Sequence, residues 1–407
     1  MHEIVRKEFR EYYSGLRAED LEIPDMPERE FAFLQFGGEV MIRHMKFLDP
    51  QSLKGYIVEN TPAHIYHSSA YYKAPEATDM NEKGWLGADL IFDVDSDHIR
   101  TECKERHDRW RCMECGRDGT GFPPESCPNC GMKKIDTRTW ICEDCLEAAK
   151  KEVVKIIDEY LLPDFGVSES DFEVFFSGHR GYHIHVRGGT FRMLSGDGRR
   201  EIADYVRGIG LDIRAHGFRE EKSGILVGPD MKDGGWRGRV ARAVYEFVNR
   251  SSLEDMRKVV APTVAKSLYE NKEKFLRNIS SYPPYWGGLK GYTLESLEKI
   301  AFASIKGLTC NIDERVTIDS KRLIRCPNSL HGKSGLRTLR VNYSCIDNFD
   351  PLKEAVAFRH GSIRIYVKEA PRVRIGDEEL GPLKDKTLEV PLALGLYLIC
   401  RGAAEPR

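Results

Sequence analysis

The chain has 407 residues, enough to bury a sizeable core in one large domain with a satellite or in two domains. Charged residues make up 31% and hydrophobic residues 41%, which excludes a largely disordered chain or a membrane protein built of spanning helices. The formal net charge of −2 does not exclude a nucleic-acid partner, because such a partner needs only a local basic surface.

The first hundred residues predict a helix followed by a sheet. The N-terminal segment MHEIVRKEFREYYSGL is charged and amphipathic and lacks the apolar stretch of a secretory signal. No apolar run in the chain has the length of a membrane span. We therefore expect a cytoplasmic protein with no membrane partner. The runs FAFLQF, EVMIRHM and ADLIFDVD indicate strands.

A pair of carboxylates ends the last of these strands, in the segment LIFDVDSDH. Side chains alternate along a strand, so Asp93 and Asp95 share the face opposite to the apolar residues, about 6.6 Å apart. Carboxylates at this spacing can bind neighbouring divalent ions, as two-metal phosphoryl transfer requires. The same pattern fits a solvated strand end. Asp97 and His98 could belong to this candidate metal site or to a turn that follows the strand.

Residues 103–145 are rich in Cys, Gly and Pro and too poor in aliphatic residues to bury a core, so this segment needs a metal. The pattern CxxC-x11-CxxC indicates a zinc ribbon with four thiolate ligands: Cys112, Cys115, Cys127 and Cys130. A third CxxC pair follows, and residues before the ribbon could complete a second set: Cys103, His107, Cys142 and Cys145. Four protein ligands leave no position for a substrate, so both sites would be structural. His107 could equally be a surface residue that binds no metal.

A long amphipathic helix is predicted from about 143 to 162, followed by a hairpin of DFEVFFSG and YHIHVRG. In the turn, Gly178 and Gly181 flank Arg180. Glycines let the backbone approach a ligand, and a guanidinium group can clasp a phosphate. The arrangement suits a nucleoside triphosphate, and it equally fits a plain hairpin whose Arg180 faces water.

The segment KRLIRCPNSLHGKSGLRTLR, residues 321–340, contains six basic residues and no acidic one. Asp313 precedes it at a predicted strand end and is a candidate third metal ligand. Arg325 and His331 are candidate phosphate contacts, because a basic loop beside an acidic site suits a phosphate-bearing substrate. A solvated charged loop would explain the segment as well. The order of elements predicts an α+β fold with a mixed or largely antiparallel sheet.

The order of these motifs resembles the small, catalytic subunit of archaeal and eukaryotic DNA primases. A DxD pair, a Cys-rich insertion, SGxRGxH, a lone Asp and SLHGKSG follow one another, and the likeness extends from REFAF and MIRHMKF to the closing LYLICRG. The resemblance implies a primase core with a mixed sheet flanked by helices, formed by residues 1–102, 146–250 and 303–407. It further implies a zinc-binding knob at 103–145, and a mainly helical insertion is expected at 251–302.

The resemblance also implies roles for individual residues. The metal-binding carboxylates of the family match Asp93, Asp95 and Asp313, which would hold two Mg²⁺ or Mn²⁺ ions. The family's nucleotide and phosphate contacts match Ser177, Arg180, His183 and His331, with Arg43 and Arg325 as further basic contacts. His179 stands where many relatives have Arg, and His185 where they often have Trp. The ribbon adds to the family's single zinc site, so we expect two zinc ions.

The expected function is synthesis of short RNA primers, or DNA primers, on single-stranded DNA during replication. The expected partners are a large regulatory primase subunit in a heterodimer, the template strand and nucleoside triphosphates. Within the same class, a primase-polymerase or repair polymerase with this core is the alternative. A non-catalytic zinc-ribbon nucleic-acid-binding subunit and a metal-dependent nuclease are alternatives from other classes.

Overall fold

The protein is described by a computed structural model that covers residues 2–221 and 225–407 and contains two compact units. The first unit comprises Met1–Val153, Ser168–Ala203 and Asn311–Arg407, and the second comprises Val154–Val167 and Asp204–Cys310. The expected α+β class is confirmed, and the strand pairs of the described residues are antiparallel. No helix in the described ranges has the length and apolar character needed to cross a membrane.

The first unit begins with two helices and six strands. Asp49 caps the second helix by accepting a hydrogen bond from the backbone N–H of Ser52, and Pro50 takes the first helical position, which needs no N–H donor. The elements are α1 (His2–Gly15), β1 (Phe31–Leu34), β2 (Met41–Met45), α2 (Pro50–Asn60), β3 (His64–Ser68), β4 (Ala70–Tyr72), β5 (Trp85–Ala88) and β6 (Leu90–Asp95). Short 3₁₀ helices cover Ala18–Leu21, Met26–Glu28 and Ser96–His98.

The cysteine-rich segment forms a three-stranded sheet with the order β8-β7-β9. Its elements and the helix that follows are α3 (Lys104–His107), β7 (Arg109–Cys112), β8 (Asp118–Thr120), β9 (Ile135–Arg138) and α4 (Glu143–Ile156). Helix α4 continues into a π-helical turn, Ile157–Leu161, so the helix predicted from about 143 to 162 is confirmed.

The predicted hairpin forms next as β10 (Phe172–Phe176) and β11 (Gly181–Val186), followed by a 3₁₀ helix, Gly189–Met193, and α5 (Gly196–Arg207). The second unit is mainly helical. It contains β12 (Arg219–Glu220), β13 (Leu226–Val227), α6 (Gly235–Arg250), α7 (Leu253–Arg257), α8 (Pro262–Glu270), α9 (Lys272–Ile279) and α10 (Leu294–Ile305). Within this unit α6 packs against α10.

The chain then returns to the first unit and adds one strand to each of two sheets. The final elements are α11 (Glu314–Ile318), β14 (Leu323–Arg325), β15 (Leu339–Val341), a 3₁₀ helix at Tyr343–Asn348, α12 (Pro351–Glu354), β16 (Ser362–Ala370), β17 (Val373–Ile375), β18 (Glu378–Leu380), β19 (Leu383–Pro391), α13 (Leu392–Cys400) and β20 (Ala404–Pro406). The two four-stranded sheets have the orders β14-β3-β1-β2 and β15-β10-β11-β6. A third sheet has the order β19-β16-β20.

Candidate active site

Two carboxylates lie at the end of β6, on the face opposite to the fully buried Phe92 and Val94. The alternation of side chains along a strand places Asp93 and Asp95 together, as the sequence predicted. In the pairing of β6 with β11, His183 lies directly opposite Asp93, and its Nε2 is 3.5 Å from Oδ1 of Asp93. The carboxylates therefore face a histidine of the neighbouring strand.

Asp313 joins this pair through the backbone. Its N–H donates a 2.9 Å hydrogen bond to the carbonyl oxygen of Asp93. Its side chain caps α11 by accepting a hydrogen bond from the N–H of Arg315. A capping carboxylate is fixed at the positive end of the helix, so Asp313 is held next to β6 although 220 residues separate it from Asp93 in the chain.

The carboxylates at this end of β6 destabilise one another's charge. Burial, followed by the charge of Asp313, raises the pKa of Asp93 to about 6. Burial, followed by the charge of Asp97, raises the pKa of Asp95 to about 6. A nearby cation would relieve both effects. Among the described residues, the side-chain oxygens of these three aspartates do not all lie within 4.8 Å of one another.

Asp93 and Asp95 line a cavity of about 260 Å³ that contains several other residues predicted from the sequence. The predicted residues in its lining are Asp93, Asp95, Ser177, His183, Arg325 and His331. The cavity also contains His179, noted above as a departure from the family pattern, and two polar residues that the sequence did not single out, Tyr66 and Arg322. Acidic and basic side chains thus face each other across one small space.

Two guanidinium groups supply the positive charge of this cavity. Arg325 donates a 2.9 Å hydrogen bond to Nδ1 of His64, and its guanidinium lies 5.1 Å from the ring centre of Tyr66. Arg322 lies three residues before it. In the described part of the chain, neither guanidinium has a carboxylate within ion-pair distance, so both charges are available to a ligand.

The histidines of the cavity are neutral at physiological pH. Burial, and then the charges of Arg325 and Arg322, lower the pKa of His183 to about 3. Burial also holds the pKa of His179 and of His331 well below the usual range. A neutral imidazole donates from one nitrogen only, so these rings can bind a phosphate by a hydrogen bond but add no charge.

His331 has a defined tautomer. The backbone N–H of Lys333 donates to its Nδ1 over 3.2 Å, so the ring proton lies on Nε2. The ring is 5% exposed and stacks on His179 with a centroid distance of 4.6 Å. His331 is therefore held as a fixed hydrogen-bond donor at the cavity.

The turn before β11 and the basic loop are fastened together. The hydroxyl of Ser334 donates a 2.5 Å hydrogen bond to the carbonyl oxygen of Gly178. Gly178 has a φ of +78°, and a Cβ there would lie 3.1 Å from Cβ of His331, so the approach requires glycine. The hydroxyl oxygen of Ser177 accepts hydrogen bonds from the N–H groups of His179 and Gly181. The cavity wall is thus built from two distant segments of the chain.

Two residues predicted to contact the nucleotide do not line this cavity. Arg180 is fully buried and forms ion pairs with Asp97 at 2.9 Å and with Asp108 at 3.2 Å. Arg43 lies on β2, where its Nε donates to Oε1 of Glu30 over 2.9 Å. The structure therefore brings together Ser177, His183, Arg325 and His331 but leaves Arg43 and Arg180 outside.

The two predicted cysteine sets are both assembled. In the described residues, the groups whose ligand atoms lie within 4.8 Å of one another are Cys103, His107, Cys142 and Cys145, and Cys112, Cys115, Cys127 and Cys130. All eleven cysteines lie in the described ranges, and none of them is in a disulfide. Nδ1 of His107 lies 2.7 Å from Oδ1 of Asp108, which directs Nε2 toward the thiols, 3.1 Å from Sγ of Cys142. Both sets could hold a metal ion.

Comparison with known proteins identifies the family of this chain. Residues 132–343 match the family described as DNA primase small subunit. The chain is 31% identical to the DNA primase small subunit PriS of Cenarchaeum symbiosum over 99% of both chains. It is 34% identical to the PriS of Methanothrix thermoacetophila over 98% of both chains, and 33% identical to that of Archaeoglobus fulgidus over 98% of this chain and 97% of the relative.

This chain belongs to the DNA primase small-subunit family. Membership confirms the family resemblance seen in the motifs, the expected function of a catalytic primase subunit and the enzyme class, a nucleotidyltransferase.

Within this primase family fold, His64, Tyr66 and Arg322 were missed by the sequence analysis. His64 and Tyr66 come from β3, which pairs with β14 and so lies beside Arg325. The alternation in HIYH gave a signal that β3 has two polar residues on one face. Only the pairing with β14 identifies that face as part of the site, and this pairing spans more than 250 residues.

Proposed function

We propose that this chain is the catalytic subunit that synthesises short primers, of RNA or of DNA, on single-stranded DNA during replication. The observation that carries the proposal is one cavity lined by two carboxylates, Asp93 and Asp95, and two guanidinium groups, Arg322 and Arg325. Carboxylates alone would repel a triphosphate, and guanidinium groups alone would not bind a divalent cation. Together they suit a substrate that combines both, a metal-bound nucleoside triphosphate.

The proposed ligands of the catalytic cations are Asp93, Asp95 and Asp313. The raised pKa of Asp93 and Asp95 reflects a cost of charging these groups that a cation removes. Mg²⁺ and Mn²⁺ prefer such oxygen ligands, and two bound ions would activate an attacking hydroxyl and neutralise the phosphates. The arrangement around Asp93 therefore fits the proposed cofactor.

The proposed triphosphate contacts divide into charged and neutral groups. Arg322 and Arg325 carry permanent positive charge toward the phosphates. Nε2–H of His331 and the hydroxyl of Ser177 donate neutral hydrogen bonds, and the neutral His183 adjoins Asp93. Arg43 is a further contact that the family resemblance implies, and its role stays a prediction.

The proposed reaction joins two nucleotides without a covalent enzyme intermediate. The 3′-oxygen of one nucleotide attacks the α-phosphorus of the next, its proton leaves, and the bond to pyrophosphate breaks. The side chains contribute position and charge: the carboxylates fix the reacting end, and the guanidinium groups stabilise the negative charge that grows on the departing pyrophosphate.

We propose Zn²⁺ for both cysteine sets, with structural roles. Sulfur atoms placed tetrahedrally 2.3 Å from a zinc ion are about 3.8 Å apart. The Sγ atoms of Cys103 and Cys145 are 3.4 Å apart, and those of Cys115 and Cys127 are 3.6 Å apart. Thiols this close without a disulfide fit a shared ion.

The proposed partners are a large regulatory subunit in a heterodimer, the template strand and nucleoside triphosphates, and the proposed compartment is the cytoplasm. The words "small subunit" in the names of the relatives support the heterodimer. We further propose that residues 1–102, 146–250 and 303–407 contribute the catalytic core, that 103–145 is the zinc-binding insertion and that 251–302 is a helical insertion.

Primer synthesis on single-stranded DNA with labelled nucleotides and Mn²⁺ or Mg²⁺ tests the proposal, with and without the large subunit. Wild type should make short products without an added primer, and Asp93→Asn/Asp95→Asn should make none. The matched control Asp377→Asn/Asp385→Asn removes two exposed carboxylates and should retain activity. Equal products from wild type and Asp93→Asn/Asp95→Asn, or no products from wild type in either setting, would contradict the proposal.

A further inference from the structure

The orientation of the Asp95 carboxylate depends on the turn that follows it. Oδ1 of Asp95 accepts a 2.8 Å hydrogen bond from the N–H of Asp97, within the 3₁₀ turn Ser96–His98. A carboxylate held in this way has one preferred orientation, so a displacement of the turn moves Asp95 with it. The turn is the immediate support of one proposed catalytic carboxylate.

Two buried, positively charged side chains, Lys104 and Arg180, hold this turn in place. Nζ of Lys104 donates to the carbonyl oxygens of Ser96, over 2.5 Å, and Ile99, over 2.7 Å. Arg180 donates from Nε to Oγ of Ser96 over 3.1 Å and pairs with Asp97 at 2.9 Å. Lys104 is 2% exposed and Arg180 is fully buried, so neither is available to a substrate.

Lys104 and Arg180 are also connected to the cysteine set of Cys103, His107, Cys142 and Cys145. Lys104 directly follows Cys103 in the chain. Arg180 pairs with Oδ2 of Asp108 at 3.2 Å, while Oδ1 of Asp108 lies 2.7 Å from Nδ1 of His107. Asp108 thus orients a proposed metal ligand with one oxygen and holds Arg180 with the other. A continuous series of contacts runs from His107 through Asp108, Arg180 and Asp97 to Asp95.

We propose that Asp108 and Arg180 are positioning residues that couple occupancy of this cysteine set to the placement of Asp95. An ion bound to His107 fixes its ring, the ring fixes Asp108, and Asp108 fixes the guanidinium that holds the turn. This inference rests on the proposed function, because it assigns Asp95 a cation. It gives the buried cysteine set a role beyond local folding: it presets how tightly the catalytic carboxylates bind a divalent cation.

The charges of the contacts explain why neither residue is replaceable. Buried Arg180 is balanced by Asp97 and Asp108, so removal of either carboxylate charge leaves the guanidinium with one carboxylate partner instead of two. Lysine would keep the charge of Arg180, but its single nitrogen cannot hold Ser96, Asp97 and Asp108 together as a planar fork does. The geometry of the guanidinium, and not only its charge, therefore maintains the connection.

The test measures Mn²⁺ affinity by electron paramagnetic resonance in purified protein whose zinc content has been determined. The specific site is the Mn²⁺ binding that disappears in Asp93→Asn/Asp95→Asn. Asp108→Asn and Arg180→Lys should weaken this site about tenfold, within the usual range of coupling between two sites of about 5- to 150-fold. Asp108→Asn should also weaken zinc binding about 10- to 100-fold, as loss of a partner that orients a metal-bound histidine does.

Two further variants separate positioning from general stability. Asp118→Asn removes an exposed carboxylate of the ribbon, which faces Arg111, and should leave Mn²⁺ affinity unchanged. Ser96→Ala removes one contact of Arg180 without touching the cysteine set and should weaken Mn²⁺ binding at full zinc content. Should Arg180→Lys fail to fold, Asp108→Asn and Ser96→Ala decide the question.

Wild-type Mn²⁺ affinity in Asp108→Asn and Ser96→Ala would overturn the inference, even if their melting temperatures fall. Primer synthesis by wild type is scored separately. If wild type binds Mn²⁺ but makes no primers, the proposed function fails and the coupling can still be measured. If wild type makes primers and the variants bind Mn²⁺ normally, the coupling alone fails.

Discussion

His183 and Asp93 face each other across the β6–β11 pairing, with Nε2 of the histidine 3.5 Å from Oδ1 of the carboxylate. Burial lowers the pKa of His183 to about 3 and raises that of Asp93 to about 6. At pH 7 the pair therefore consists of a neutral ring and a carboxylate, not of two opposite charges. The charge of Asp93 remains uncompensated by its neighbour and is available to a cation.

Asp93→Asn should raise the melting temperature of the metal-free protein by roughly 2 °C, because it removes a buried charge that is repelled by Asp313. The same variant should lose the stabilisation that wild type gains from Mn²⁺ and a nucleoside triphosphate. Thermal melts in chelator and in Mn²⁺ with nucleotide measure both effects. An unchanged ligand-induced shift in Asp93→Asn would contradict the metal assignment, and Asp377→Asn serves as the exposed control.

Mn²⁺ binding should weaken as the pH falls from 7 to 5, about tenfold for each carboxylate that must lose a proton. The folded pKa of Asp93 and Asp95 is about 6, above the ordinary 3.8, so the folded state binds these protons more tightly. Their protonation adds stability below pH 3.8 that is lost as the pH rises through 6. Mn²⁺ titrations at pH 5, 6 and 7 test the first statement. A Mn²⁺ affinity that does not change between pH 5 and 7 would show that Asp93 and Asp95 do not gain or lose protons in this range.

Arg322→Gln should raise the KM for nucleoside triphosphate about 10- to 100-fold, because a hydrogen bond to a charged group contributes about 1.5–3 kcal/mol. The substitution keeps a polar side chain and removes the charge beside Asp93. Lys321→Gln is the matched control, because Lys321 adjoins Arg322 in the chain, is exposed and does not line the cavity. Steady-state kinetics at saturating metal distinguish the two. Equal KM values in both variants would remove Arg322 from the nucleotide site.

Gly178→Ala should impair both stability and nucleotide binding, whereas Gly402→Ala should impair stability alone. Both glycines have a positive φ, +78° and +68°, so alanine is strained at either position. Only at Gly178 would the new Cβ meet another residue, 3.1 Å from Cβ of His331. Melting temperature and KM are the two measurements. A normal KM in a folded Gly178→Ala variant would show that His331 does not need its present position.

Elemental analysis should find two zinc ions per chain. Cys115→Ser and Cys142→Ser should each reduce the content to about one, because the two sets share no ligand. Cys345→Ser removes an exposed cysteine that lies outside both sets and should leave two. A single zinc ion in wild type would contradict the assignment of one set, and the serine variants would identify which.

Local patterns predicted the elements whose residues are close in sequence. The alternation of β6 placed Asp93 and Asp95 on one face, and helical spacing predicted the helix beginning at Glu143. CxxC spacing predicted the ribbon set and the pair Cys142 and Cys145, and the position of Cys103 and His107 before the ribbon suggested the rest of the second set. Each of these features depends on periodicity or on ligand spacing over a few tens of residues, which the chain displays directly.

Long-range pairing accounts for what the sequence left undetermined. The family resemblance implied a nucleotide contact for Arg180, yet its guanidinium is held by Asp108, 72 residues earlier. Arg322 was part of a basic segment with no distinguishing feature until the pairing of β14 with β3 placed the segment at the cavity. The orientation of a long side chain follows from its charge partners, and spacing in the sequence does not identify them.

The ribbon begins and ends at neighbouring points, because Arg109 and Arg138 face each other in the pairing of β7 with β9. The set of Cys103, His107, Cys142 and Cys145 has members on both sides of the ribbon and brings the ends of this segment together a second time. When the ends of a segment already meet, a doubling of its length costs only about 0.6 kcal/mol of loop-closure free energy. Over evolutionary time such a segment can be lengthened, trimmed or exchanged with little effect on the fold that carries it.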